Sequence, residues 1–184
     1  MEDMVDYYRK QNAYDLVNNV KDTALIIEGG GMKACFTGGI IYALLLNGVK
    51  FSYVSGSSAG ANHAVNYVSR DILKIDKNFV DDVDFKEFGG RKSFFKGHGF
   101  FDSDKIFARD TEEGDIRHYH FDNFKNNPAQ VTVSAFNSLT GETKYRTKED
   151  MPNTKELMLR VRASSTLPII MNKTKIDDNI YFDG

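Results

Sequence analysis

Residues 55–65 read SGSSAGANHAV: two glycines, three serines and three alanines in eleven positions. They fall where an apolar segment, VKFSYVS (49–55), gives way to a helical one, AGANHAVNYVSRD (59–71). Gly56, Ser58 and Gly60 form the pattern Gly-x-Ser-x-Gly. A serine hydroxyl attacks poorly unless it projects from the backbone and a base can take its proton. A strand–turn–helix elbow supplies the projection, and its strained dihedrals and close strand–helix approach demand small flanking residues. Gly56, Ala59 and Gly60 meet that demand. Ser58 stands at the N-terminal end of the helix, where the dipole favours developing negative charge. The same composition also suits a plain turn where two backbones pass close together. Chance produces the pattern in about one chain in twenty of this size, so its neighbours must decide.

Upstream, TALIIE (23–28) is a compact apolar run that reads as a buried strand and empties into Gly29, Gly30 and Gly31. The following MKACFTGGIIYALLLNG carries apolar residues at 32, 36, 40, 41, 44 and 45, a helical spacing that predicts one buried face. Gly48 stands where a C-cap glycine is expected. Strand, helix, strand and helix with short links predict parallel strands joined by right-handed crossovers. Three glycines leaving a strand present backbone N–H groups with no side chains in the way, a geometry that binds a phosphate or an oxyanion. Neither G-x-x-x-x-G-K-[ST] nor G-x-G-x-x-G with an acidic residue about 20 positions on is present, which weakens the phosphate reading. Lys33 adds positive charge there or is a solvated helix lysine.

Residues 2–20 read as a short N-terminal helix, and 71–128 as helices and loops covering the sheet. VTVSAF (131–136), a turn at Thr140-Gly141 and TKYRT (143–147) signal a hairpin. Asn153 with Glu156 opens a helix through about Ala163 as a capping box. Pro168 stops that region, IIM (169–171) is apolar, and NIYFDG (179–184) is a final strand and turn. No repeat or linker divides residues 1–184, so one domain is expected. The chain stops at Asp183-Gly184, where a strand–turn signal normally leads on, so the sequence reads as a portion of a longer domain.

Of four histidines, His63 lies five residues into the helix after Ser58 and points away from the elbow, packed or solvated. His118 and His120 share a face if extended, a metal-like spacing without an evident third ligand. Asp183, after an apolar strand and before a glycine, is well placed to reach a serine at a sheet edge. A Ser58–Asp183 dyad is therefore the better reading. Ser164 and Ser165 in ASSTLP (163–168) read as a structural turn near the site, and Cys35 as a small packed residue.

EGGGMKACFTGGIIYALLLNG, YVSGSSAGANHAVNYVSRD, ASSTLP and YFDG occur in that order, and together they resemble the patatin-like phospholipase family, particularly its bacterial members. The resemblance implies a three-layer α/β/α sandwich with a mainly parallel central sheet. It implies that Gly29, Gly30, Gly31 and Lys33 frame an oxyanion hole, that Ser58 is the nucleophile and that Asp183 is the base, without a catalytic histidine. The family commonly carries arginine then glycine where this chain has Lys33 then Ala34; the charge survives but the bidentate fork does not.

The expected function is a serine-dependent lipid acyl hydrolase, with backbone N–H groups near Gly30, Gly31 and Ala59 holding the oxyanion. A non-catalytic lipid- or acyl-binding module and an acyltransferase to a non-water acceptor are the rivals. No cofactor or metal is called for. Across 184 residues the net charge is −2 with 41% hydrophobic residues, which gives no basic surplus for nucleic acid. One cysteine excludes an internal disulfide framework. IIYALLL (40–46) is far shorter than the roughly 20 residues that span a bilayer. A cytoplasmic protein is expected, with transient membrane-surface contact allowed. RKSFFKGHGFF (91–101), phenylalanine pairs with basic shoulders, reads either as a lipid-facing loop or as core phenylalanines with solvated charges.

Overall fold

Strand β1 (Val20–Ile27) runs into the three glycines and a 3₁₀ turn (Gly31–Lys33), and helix α1 (Ala34–Leu46) returns the chain to β2 (Phe51–Ser57). Helix α2 (Ala59–Val68) starts one residue later and is followed by α3 (Ile72–Asp76). This computed structural model describes residues 15–76 and 119–184 and, between them, 90, 93, 99–103 and 107. The second half comprises α4 (Phe121–Asn126), β3 (Gln130–Asn137), β4 (Glu142–Arg146), a 3₁₀ turn (Lys148–Asp150), α5 (Thr154–Ser165), β5 (Thr174–Ile176) and β6 (Asn179–Phe182).

The fold is α/β: the described residues form a mixed six-stranded sheet with a parallel core flanked by helices. β1 pairs parallel with β2, and β2 with β3, while β4, β5 and β6 add antiparallel pairs. The parallel pairing expected from strand, helix, strand and helix is seen between β1 and β2, and β3 extends it. Val54, Val131 and Val133 point to one side of the sheet and are buried under α2 and α5. Helices α1, α3, α4 and α5 all contact α2, which makes α2 the centre of the helical layer. Each fully buried aliphatic side chain there contributes about 1.5–3 kcal/mol.

The local signals hold in several places. Gly48 has φ +67° and its N–H bonds the Leu45 carbonyl, closing α1. Asn153 accepts a hydrogen bond from the Glu156 N–H at 2.9 Å and caps α5, which runs two residues past Ala163. β3 and β4 form the expected hairpin.

Other expectations are corrected. Residues 15–19 are not helical and Val20 already belongs to β1; residues 2–14 of the expected N-terminal helix lie outside the described residues. Among the described residues β1 is an edge strand, and within TALIIE only Ile27 is buried while Ile26 is 70% exposed. α1 buries Ala34, Gly38, Ile41 and Leu45, not the stripe through 32, 36 and 40. Its small residues face α2 and allow close approach, leaving Met32, Phe36 (78% exposed) and Ile40 outside. Of the covering segment, α3 and α4 are described and most of the remainder lies outside the described residues. β5 was not expected; it joins β6 through Asp177-Asp178, with Asp177 at φ +53°.

The crossing of β2 and α2 depends on two glycines. A Cβ on Gly56 would stand 2.2 Å from the Gly60 carbonyl oxygen, and one on Gly60 would stand 2.2 Å from that of Ile27. Both obstructing atoms are backbone and cannot swing aside. Gly56→Ala is expected to destabilise the protein by about 3 kcal/mol or more in urea unfolding. Gly39→Ala, on α1 with nothing within 4 Å of its Cβ position, is the control and should stabilise by up to about 1 kcal/mol.

Candidate active site

Strand β3 has two edges. β4 occupies one from Val133 to Asn137, and β2 occupies the other from Gln130 to Ser134. Phe136 and Asn137 pair with β4 on the first edge and with Phe182 and Tyr181 of β6 on the second. The second edge therefore passes from β2 to β6 at Ala135. The end of β2, carrying Ser57 and Ser58, meets the end of β6, carrying Asp183 and Gly184. Gly184 fits because it lacks a side chain: a Cβ there would stand 2.7 Å from the Ala135 Cα.

At this junction the Ser58 hydroxyl donates to Asp183 Oδ2 at 2.5 Å. The neighbouring Ser57 hydroxyl donates to the Gly184 carbonyl. Ser58 has φ +55° and ψ −131°, a strained conformation for a residue with a Cβ, of the kind that costs about 1–3 kcal/mol. It turns β2 into α2 within a single residue and aims the hydroxyl out of the sheet.

The C-terminal turn of α5 supports this geometry. The Ser58 N–H donates to Ser164 Oγ at 2.8 Å, and the Asp183 N–H donates to the Thr166 carbonyl at 2.9 Å. The Thr166 hydroxyl donates to the Arg162 carbonyl and lies 2.7 Å from the Thr174 hydroxyl. One short segment thus fixes the backbones on both sides of the Ser58–Asp183 contact. The sequence of ASSTLP indicates a structural turn and does not reveal these roles. The available signal was three consecutive hydroxyl residues before Leu-Pro, since buried hydroxyls must find partners, and Ser164 and Thr166 are fully buried.

The glycine loop closes over the serine. A Cβ on Gly29 would stand 2.6 Å from the Ser58 Cβ, so only glycine fits at that position. Gly31 adopts φ +54°, which a side chain would disfavour. A cavity of about 590 Å³ opens here, lined by Glu28, Gly29, Gly30, Gly31, Ser57, Ser58, Leu167, Asp183 and Gly184. Lys33 and Ala59 do not line it. The Lys33 side chain is exposed and its N–H bonds the Gly30 carbonyl. Ala59 is the first residue of α2, where an N–H has no carbonyl of its own helix to bond.

Burial of Asp183 raises its carboxyl above the ordinary value of 3.8, opposed in part by hydrogen bonds from the Ser58 hydroxyl and the Gly184 N–H. His63 is fully buried, and burial lowers its tendency to take a proton. His120 is exposed, with its ring nitrogen 3.8 Å from Asp71 Oδ2. His98 and His118 lie outside the described residues, as does most of the 91–101 loop. Among the described residues no group of three His, Cys, Asp or Glu gathers as a metal site.

A family model described as patatin-like phospholipase matches residues 25–184, from the middle of β1 to Asp183-Gly184. The chain belongs to that family. Among solved structures, VipD from Legionella pneumophila superposes with a TM-score of 0.54 at 15% identity, over 91% of this chain and 46% of VipD. The likeness is one of fold, and this patatin-like domain spans less than half of VipD's length. No curated protein matches the sequence significantly.

The raised Asp183 pKa gives a test of the junction. Because the folded-state value exceeds the unfolded one, the native protein holds extra proton between them, and stability falls as pH rises through that window. Asp183→Asn removes the buried charge. The variant should resist urea better than the parent at neutral pH, and the gap should close as pH falls to about 3.8.

Proposed function

We propose that this patatin-like domain is a serine lipid acyl hydrolase acting through a Ser58–Asp183 dyad. The observation that carries the reading is the hydroxyl–carboxylate hydrogen bond of 2.5 Å at the mouth of a glycine-lined cavity. Asp183 accepts the Ser58 proton as Oγ attacks an ester carbonyl carbon, and the carbonyl oxygen becomes an oxyanion. Backbone N–H groups of Gly30 and Gly31, with that of Ala59 at the start of α2, are the donors for that oxyanion. They are pre-set before reaction, which is where such donors are most effective. Lys33 supports the loop from outside the cavity. Collapse of the intermediate breaks the ester C–O bond, and Asp183 returns its proton to the departing alcohol. Water then attacks the acyl-serine, giving its proton to Asp183, and the carboxylic acid leaves as Ser58 recovers a proton.

Family membership supports an ester of a lipid as substrate. So does the apolar surface beside the cavity: Leu167 lines it, and Ile169 (86% exposed, φ +72°) and Ile170 follow after Pro168. Holding an exposed isoleucine in a left-handed conformation is unfavourable for the soluble fold alone, and apolar tips of this kind insert at a lipid interface. No helix among the described residues is long and apolar enough to cross a membrane; the exposed Ile169 beside the cavity is what supports contact at a lipid surface.

Covalent labelling with a fluorophosphonate, read by intact mass, tests the dyad. One adduct is expected on the parent and none on Ser58→Ala, with labelling of Asp183→Asn slowed by about 10²–10⁴-fold. A folded parent that takes no label would favour a non-catalytic acyl-binding module. Acyl transfer to added alcohol in place of water would favour the transferase. For the surface contact, Ile169→Asp should lower turnover of phospholipid vesicles by about tenfold or more while sparing a soluble short-chain ester.

A further inference from the structure

We propose that His63 is a positioning residue that locks the glycine loop to the helix carrying Ser58, an inference that rests on the dyad reading above. His63 lies five residues after Ser58 on α2, about 7.5 Å along the helix axis. It is fully buried, and its Nε2 lies 2.8 Å from the carbonyl oxygen of Ala34, the first residue of α1. A carbonyl only accepts, so Nε2 carries the proton and donates. Burial disfavours a second proton on the ring, and the Ala34 contact requires only the one on Nε2.

Ala34 passes the connection on. Its own N–H bonds the Gly31 and Met32 carbonyls, and the adjacent Lys33 N–H bonds the Gly30 carbonyl at 3.1 Å. A continuous line of hydrogen bonds therefore runs from α2 through Ala34 into the loop that closes over Ser58. Gly38 makes room for it: a Cβ there would stand 3.2 Å from His63 Cε1, tighter than ordinary contact. The imidazole occupies the place a larger residue on α1 would take. The nucleophile and the Gly30 and Gly31 donors come from different elements, and a shift of about 1 Å between them is enough to cost about 10²-fold in rate. The His63–Ala34 bond removes that freedom without touching substrate.

The experiment compares His63→Leu, which fills space without a donor, with His63→Gln, whose amide nitrogen can reach the same carbonyl. The readouts are the fluorophosphonate inactivation rate, separated into affinity and maximal rate, and hydrogen exchange of the peptide covering residues 28–37. His63→Leu should lose about tenfold or more in maximal rate with affinity unchanged, and exchange in 28–37 should quicken while β2 and β3 stay protected. His63→Gln should restore most of both. A folded leucine variant that labels and exchanges like the parent would overturn the proposal. So would a glutamine variant as impaired as leucine. Should the leucine variant fail to fold, Gly38→Ala carries the test by crowding the ring: faster exchange in 28–37 with slower labelling supports the lock, and parental behaviour refutes it. If the parent takes no label, the dyad reading fails, and the exchange data alone decide whether His63 holds the loop.

Discussion

The site depends on one strand changing partners. β3 is bordered by β2 up to Ser134 and by β6 from Phe136, and the handover at Ala135 brings the ends of two strands together from opposite directions. Ser58 arrives from a parallel strand and Asp183 from an antiparallel one. A fully parallel neighbour in the place of β6 would bring its opposite end to that point. The antiparallel pair β5–β6 is therefore what delivers the carboxylate to the serine, and the turn at Asp177-Asp178 that reverses it belongs to the same device.

Close approach then replaces side-chain machinery. Residues Gly29, Gly56, Gly60 and Gly184 sit where a Cβ would meet other atoms at 2.7 Å or less. Their absence of side chains lets β1, β2, α2 and β6 converge around a single hydroxyl. Convergence of this kind leaves backbone N–H and C=O groups in need of partners, because burying them unpaired costs about 1–3 kcal/mol each. Ser164 and Thr166 answer that need at the serine and at the aspartate. The strain at Ser58 persists because the surrounding backbone is bonded on both sides.

The sequence made the signals along each segment legible. The glycine triplet, the Gly-x-Ser-x-Gly turn, the C-cap at Gly48 and the Asn153 cap are all local patterns whose physics acts within a few residues. The α1 stripe was misread because hydrophobicity alone does not say which face packs; Ala34 and Gly38 won the interface by being small. The burial of β1 was misread because a strand's place at the sheet edge is a property of topology. The sequence indicates Ser164 only as a turn residue and His63 only as packed or solvated, since their partners lie 106 and 29 positions away. No spacing rule reaches that far.

An aspartate acting alone as base faces a conflict that a histidine avoids. An ordinary carboxylate is ionised at neutral pH yet too weak a base to draw a proton from a serine hydroxyl efficiently. Burial at the β2–β6 junction raises the affinity of Asp183 for a proton, while the Ser58 hydroxyl and the Gly184 N–H restrain that rise. In the proposed dyad, that balance would make Asp183 a stronger base than an ordinary carboxylate while leaving it hydrogen-bonded to the serine it serves. His63, the histidine nearest in sequence to the serine, is turned into the α1–α2 interface and bonded to Ala34, away from the Ser58–Asp183 contact.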